Sequence, residues 1–471
     1  MNADADRPGR GVGHMGMDLT KGSIPKNLIL FGLPMLIGSA LQTAYGLVNA
    51  FWVGKFLGTN SLAAITVSFP AIFALIAVGA GLTLASNILI AQYVGARELD
   101  RIKNVVQTSA ALIGFLSVVF LAAGLIFSDH LLRLMQTPAE VFPIALSYIR
   151  IYFWTLPFGF GLFLAAAFLR GIGDSKTPLY FQAVSVALNT ILDPLLIFGL
   201  LGLPRLGLNG TAVASIISQA AAVIGLILYI PRFRPLVSAD WRRLRIDYHT
   251  AWLLVRIGFP SMIQQSVVSV SLLFIVSFVS AFGANGDAAF GAAIRIDAVA
   301  FLPALTIGLA VSTLSGQNIG ALEYKRVQEV FRWGLLISGG ISFLISLLTM
   351  SFPWIFLRAF LNDPQVIAIG VQYLRIVGIT YTLYAVLFVS NGIINGAGHT
   401  VPTTLITIAN LWGVRVPLAA ILPRYTHSVK GIWIAMTASV AAGMIMSLIY
   451  YTTGRWKKPV IKKEPGARRV N

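Results

Sequence analysis

Gln92-Tyr93-Val94-Gly95-Ala96 returns 225 residues later as Gln317-Asn318-Ile319-Gly320-Ala321, and at the same shift Arg101 falls on Arg326. Working outward, Tyr148-Ile149-Arg150-Ile151 falls on Tyr373-Leu374-Arg375-Ile376, and Gly171 and Gly173 fall on Gly396 and Gly398. Pro34 and Pro260 correspond at a shift of 226. Apolar coincidences are cheap in a chain that is 57% hydrophobic, but repeated Gln, Tyr and Arg at one offset are not. The chain is therefore a tandem repeat, and the repeat decides its architecture.

What repeats is a set of membrane spans. Only 11% of the 471 residues are charged, against about 25% in soluble domains, and the mean hydropathy is +0.80. Twelve apolar segments can be marked: 27–53, 61–93, 105–127, 143–169, 178–201, 210–231, 252–282, 288–318, 330–357, 366–394, 402–423 and 431–453. Each reaches the roughly 20 residues that a bilayer requires. The expected fold is all-α and polytopic, with two six-helix lobes related by a parallel internal repeat. Six is even, so the two halves share one orientation and their pseudo-axis runs along the membrane normal. The expected limits are a tail 1–25, a first lobe 26–231, a basic inter-lobe loop 232–250, a second lobe 251–454 and a basic tail 455–471.

The formal charge of +18 invites a nucleic-acid reading, but its distribution does not support one. In the tails and even-numbered connections 24 Lys and Arg collect on one side, and six lie on the other. That asymmetry predicts cytoplasmic termini in an inner plasma membrane, with lipid headgroups as the counter-charge. No small-residue cleavage site follows the N-terminal tail, so the first segment is read as a retained span. Gly11-Val12-Gly13-His14-Met15-Gly16 fits a dinucleotide pattern but lacks the strand and helix that give it meaning, and we read it as chance. The absence of Cys excludes disulfides and thiolate metal sites. With no HExxH, no paired aspartate motif and five scattered His, nothing points to an enzyme or to a cofactor.

An ionised side chain at the bilayer centre costs several kcal/mol, so acids there are informative. Asp193 lies well inside span five, with Asn189 four residues earlier on the same face and Pro194 next to it. Pro194 removes a backbone donor, which would loosen the helix and free a carbonyl. Asp193 either carries a proton or cation, or is structural, paired with an Arg or capping a broken helix. Asp297 stands near the start of span eight, two residues from Arg295, where local pairing and a functional role are both open. Arg415 in span eleven sits near the repeat counterpart of Asp193, either anchoring its lobe or facing cargo. Further candidates for a substrate cavity are Gln42 and Tyr45 in span one, Gln264 and Gln265 in span seven, and Trp412 in span eleven.

Taken together, Leu33-Pro34, Val53-Gly54, Gln92–Ala96 with its echo, the run from Arg170 through Asp174 to Pro178, and Asn189–Pro194 resemble the multidrug and toxic compound extrusion (MATE) family, in its DNA-damage-inducible-protein-F-like branch. The resemblance covers residues 19 to 455. It implies a V-shaped monomeric transporter that exchanges H⁺ or Na⁺ for small organic compounds, mostly cationic, outward across the membrane. It also implies coupling roles for Asn189, Asp193 and Thr211, with Asp193 and Asn189 holding Na⁺ if that is the ion. The family acid near the end of span one is missing: the chain reads Leu47-Val48-Asn49-Ala50-Phe51, so Asn49 stands in its place. The second-lobe carboxylates of another branch are also missing, with Gln264 and Gln265 in span seven. A flippase for a lipid-linked saccharide, built from the same two lobes, is the alternative reading.

Overall fold

The computed structural model describes residues 16–239 and 246–461. The inner part of the inter-lobe loop, most of the Gly11–Gly16 pattern and the end of the basic tail lie outside the described residues. Among the described residues there is no strand. The helices are α1 Ile24–Phe56, α2 Gly58–Ala96, α3 Leu99–Leu134, α4 Phe142–Phe153, α5 Leu156–Gly171, α6 Lys176–Phe198, α7 Leu208–Phe233, α8 Tyr248–Ser280 and α9 Ala284–Ala300. They continue as α10 Leu302–Gly320, α11 Tyr324–Ser351, α12 Pro353–Arg358, α13 Pro364–Val377, α14 Thr380–Gly396, α15 Thr400–Ile408, α16 Val416–Thr426 and α17 Lys430–Thr452. Between α15 and α16 the same span is wound as a π-helix over Ala409–Arg415.

Among the described residues ten stretches are long and apolar enough to cross a bilayer as they stand, and two bent pairs, each counted as one span, bring the number to twelve. The pairs are α4–α5, bent by 44°, and α13–α14, bent by 42°. They occupy equivalent places in the repeat, breaking at Trp154–Thr155 and at Gly378–Ile379. The repeat is written into the backbone as well. Arg97 and Leu322 are left-handed at φ 60° and 64°, and Gly173 and Gly398 at φ 86° and 84°, each pair 225 residues apart. The glycine pair terminates α5 and α14 where a side chain would be strained.

The chain forms two compact units that do not follow chain order. One holds Ile37–Ile90 and Glu98–Phe259; the other holds Leu19–Leu36, Ala91–Arg97 and the described residues from Pro260. Residues 19–36 and 91–97 therefore group with the second unit, and the first turns of α8 group with the first. The sequence-based limits at 26–231 and 251–454 do not show this exchange. Its physical basis is visible in each unit. Leu19 donates its backbone N–H to Gln317 Oε1 (3.1 Å), and its carbonyl accepts from Asn318 Nδ2 (3.2 Å). In the other unit Gly258 of α8 lies against the Gly81 backbone.

Within the second unit, the ends of α2 and α10 approach each other so closely that only glycine fits. A Cβ on Gly95 would stand 1.8 Å from the Gln317 carbonyl oxygen, and one on Gly320 would stand 2.0 Å from that of Gln92. The opening motif is thus a packing device as well as a repeat marker. Deeper in that unit, Trp433 stacks on Phe290 (ring centroids 5.3 Å) and meets Tyr373 edge-on (4.8 Å), closing a buried core with Ile275, Val279 and Leu374.

Candidate functional site

In the first unit, α6 carries Asn189 and Asp193 one turn apart, and both are buried, Asp193 completely. The helix runs through Pro194 without a break. The loosening expected from that proline is confined to the one Thr190 carbonyl that loses its donor. Facing them, α7 presents Thr211, Ser215 and Ser218, a hydroxyl stripe at helical spacing. From α1, Tyr45 bonds Ser215 Oγ (3.1 Å), and Asn49 Nδ2 donates to the Tyr45 hydroxyl (3.4 Å). Asn49 Oδ1 is buried with no hydrogen-bond partner among the described residues. Thr211 turns its hydroxyl onto the Leu208 carbonyl (2.9 Å), and its own carbonyl accepts from Ser215 Oγ (2.9 Å).

The amide of Asn189 satisfies its neighbours in one orientation: Nδ2 donates to Asp193 Oδ1 and Oδ2 (both 3.1 Å) and to the Tyr45 hydroxyl (3.1 Å), while Oδ1 accepts from Ser215 Oγ (3.2 Å), Ser218 Oγ (3.1 Å) and Ser215 N (3.0 Å). No basic side chain of the described residues forms an ion pair with Asp193, so the Arg pairing considered for it is not formed. Gln42 stands apart from this cluster, joined to Gln182 (2.5 Å).

The second unit has its own polar cluster. Asp297 on α9 is buried and accepts from the hydroxyls of Tyr373 and Tyr381, the latter at 2.5 Å. Arg295 does not pair with it and lies instead over the Phe360 ring, 5.9 Å from its centroid. Arg415 donates from Nε to Ser439 Oγ (2.9 Å) and from Nη2 to the Tyr384 hydroxyl (3.3 Å). Gln264 donates to Thr407 Oγ1 (2.8 Å), Gln265 is exposed, and Trp412 packs edge-on to Phe274 (5.4 Å).

Ser215, Ser218, Tyr373, Tyr381, Tyr384 and Ser439 were not singled out from the sequence. The i, i+4, i+7 spacing of Thr211, Ser215 and Ser218 was a usable signal for the first two. Tyr373 was legible only as a repeat mate of Tyr148. Among the described residues no three His, Asp or Glu side chains come together as a metal centre. A cation bound here would take mostly neutral oxygens.

Spans in an internal repeat, with a polar cluster buried among the helices of each unit, define a polytopic membrane protein, and its relatives give its class. The MatE family profile matches residues 34–195 and 260–421, one copy in each half of the repeat. The chain belongs to this family of multidrug and toxic compound extrusion transporters. It is 35% identical over 448 residues to the probable multidrug resistance protein YoeA of Bacillus subtilis, covering 94% of this chain and 96% of the relative. It is 26% identical to a FAD transporter of Shewanella oneidensis, over 94% of this chain and 97% of that one. The fold matches a MOP superfamily transporter of Pyrococcus furiosus, described as having a binding pocket of reverse polarity, with a TM-score of 0.88 and 25% identity. That match covers 95% of this chain and 99% of the other.

Proposed function

We propose that this transporter is a secondary antiporter that exports organic cations and drugs by alternating access, driven by H⁺ or Na⁺ entering at Asp193. It works as a monomer in the inner plasma membrane, with both termini cytoplasmic. The observation that carries the reading is a fully buried carboxyl group, unpaired with any base of the described residues, touching a side chain that can answer its charge. When Asp193 is ionised, Asn189 turns its Nδ2 to the carboxylate and accepts from Ser215 and Ser218. When a proton or Na⁺ neutralises Asp193, the amide presents its oxygen, to accept from the carboxylic O–H or to ligate the metal ion. The serine hydroxyls, released from the amide oxygen, keep the Thr211 and Ala214 carbonyls as their acceptors. Cation arrival is thereby converted into a different set of bonds between α6, α7 and α1 through Tyr45. Coupling follows if one set suits the outward-facing state and the other the inward-facing state.

Asn49 replaces the family's second acid, which leaves Asp193 as the one carboxylate of this cluster, and the unpartnered Asn49 Oδ1 is a further neutral oxygen for a cation. One relative is named for multidrug resistance and another for FAD transport, which supports small organic compounds as the cargo. The reading is tested in proteoliposomes loaded with ethidium, with pH and Na⁺ gradients imposed separately. Efflux should follow one gradient and be indifferent to the other. Efflux indifferent to both would sink the antiport reading.

A further inference from the structure

We propose that Arg415 anchors a subsite for an anionic group, a carboxylate, phosphate or sulfonate, on the transported compound, so that the cargo of this protein includes aromatic anions and zwitterions. The proposal rests on the transport reading and specifies its substrate class.

A guanidinium keeps its charge in any protein environment and presents five N–H donors in a planar fork. In Arg415 the protein engages two of them, and both acceptors are neutral hydroxyls, Ser439 Oγ and the Tyr384 phenol. Neither needs a positive charge opposite it; a glutamine amide would serve two hydroxyls as well. A full charge inside a span is costly unless an anion or water meets it. Among the described residues no carboxylate lies at ion-pair distance from Arg415. The acid of this unit, Asp297, offsets the charge at longer range, but its oxygens are held by Tyr373 and Tyr381. The fork is thus left with open donors.

Its setting also suits a ligand. Arg415 is only half-buried, and its two bonds, to α14 and α17, hold it against the rest of the unit. It ends the π-helical segment Ala409–Arg415, and such turns recur at functional sites because the extra residue re-aims the side chains around it. Gly413 in that segment leaves open space, with no other segment within 4 Å of where a Cβ would stand. The phenol that Arg415 bonds belongs to an aromatic group: Tyr384 stacks on Phe388 (5.5 Å) and packs against Phe301 (5.4 Å). A planar organic group with an acidic substituent matches this combination, the fork taking two oxygens at once.

Riboflavin and riboflavin 5′-phosphate form a fluorescent pair that differs only in the anionic group. Binding of each to the full-length protein in detergent, without any gradient, should favour the phosphate in the wild type. Arg415→Gln should weaken the phosphate by roughly tenfold or more and leave riboflavin unchanged, the size expected for losing a charge-assisted hydrogen bond. Arg415→Lys should keep part of the preference, and it decides the matter if the Gln variant does not fold. A wild type without preference for the phosphate overturns the proposal, as does an equal loss of both compounds in Arg415→Gln with Arg415→Lys behaving alike. Because the preference is read without a gradient, it stands or falls separately from gradient-driven ethidium efflux.

Discussion

Replacing Asp193 by Asn removes the charge at nearly constant shape, and the consequence can be worked through quantitatively. The side chain is fully buried and its bonds run to neutral groups, Asn189 and through it Tyr45, Ser215 and Ser218. An amide in its place can still bond Asn189, so folding and cargo binding should survive. Only the ability to take up and release a cation is lost. With the membrane potential clamped at zero, one unit of ΔpH or a tenfold Na⁺ gradient stores about 1.4 kcal/mol per ion. One coupled ion therefore supports a cargo concentration ratio of about tenfold, since 1.4 kcal/mol is one decade. The wild type should approach that ratio in proteoliposomes, and Asp193→Asn should settle at unity while still exchanging labelled for unlabelled cargo across the membrane. A variant that builds a ratio above unity would refute the assignment of coupling to Asp193. A wild-type ratio nearer a hundredfold would also refute the single-site account, because it demands a second coupled ion.

Three further outcomes follow from particular contacts. Asn49→Asp places a second carboxylate beside Tyr45, bonded by Asn49 at 3.4 Å, and should change the pH or Na⁺ dependence of efflux; an unchanged profile would make Asn49 merely structural. Gly95→Ala pushes a methyl group to 1.8 Å from the Gln317 carbonyl and should cost about 3 kcal/mol or more, read as loss of monodisperse protein, whereas Gly46→Ala, with nothing within 4 Å, should be tolerated. Asp247, just before α8, accepts from the Thr250 hydroxyl and from Thr250 N (3.2 Å), and this bonding holds its carboxyl below the usual range. Its stabilisation is therefore complete above the unfolded value near 4 and fades as pH falls through the lower native one. Asp247→Ala should cost about 1 kcal/mol at neutral pH, as a lost helix cap does, and the gap in melting temperature should close in acid; a gap that persists there would contradict the assignment.

The spans and their repeat were legible because both depend on composition along the chain, which a shift of 225 residues exposes directly. Asn189 and Asp193 were legible for a similar reason: four residues on a helix is a fixed spatial relation. What sequence could not give was set by contacts between distant segments. Asp297 bonds Tyr373 and Tyr381, 76 and 84 residues away, while its near neighbour Arg295 turns to Phe360. The bends at Trp154–Thr155 and Gly378–Ile379 share only Thr155 and Thr380 at the repeat shift, and a threonine inside an apolar run does not by itself mark a bend. The grouping of residues 19–36 with the second unit likewise depends on the side chains of Gln317 and Asn318 receiving Leu19.

The repeat itself argues that the two halves have taken on different chemical work. Span five carries Asp193-Pro194, and span eleven carries Arg415-Val416-Pro417 at nearly the corresponding place. The proline is common to both, yet α6 stays α-helical through it, whereas span eleven relaxes into a π-helix just before it. In the first unit an acid sits among neutral groups able to rearrange when it is neutralised. In the second, a permanent cation bonds two neutral hydroxyls, of Ser439 and Tyr384, with donors to spare. A group that changes charge suits the ion that drives transport, and a group that never does suits a fixed hold on cargo. If that division holds, exchanging the two chemistries would abolish transport even though each helix tolerates its proline. Asp193→Arg should fold poorly for want of a counter-charge among Asn189, Tyr45 and the serines, and Arg415→Asp should still fold but lose the preference for anionic cargo. Measuring both folding and flavin-phosphate binding in the pair separates the argument from a general intolerance of charge, which would make the two variants fail in the same way.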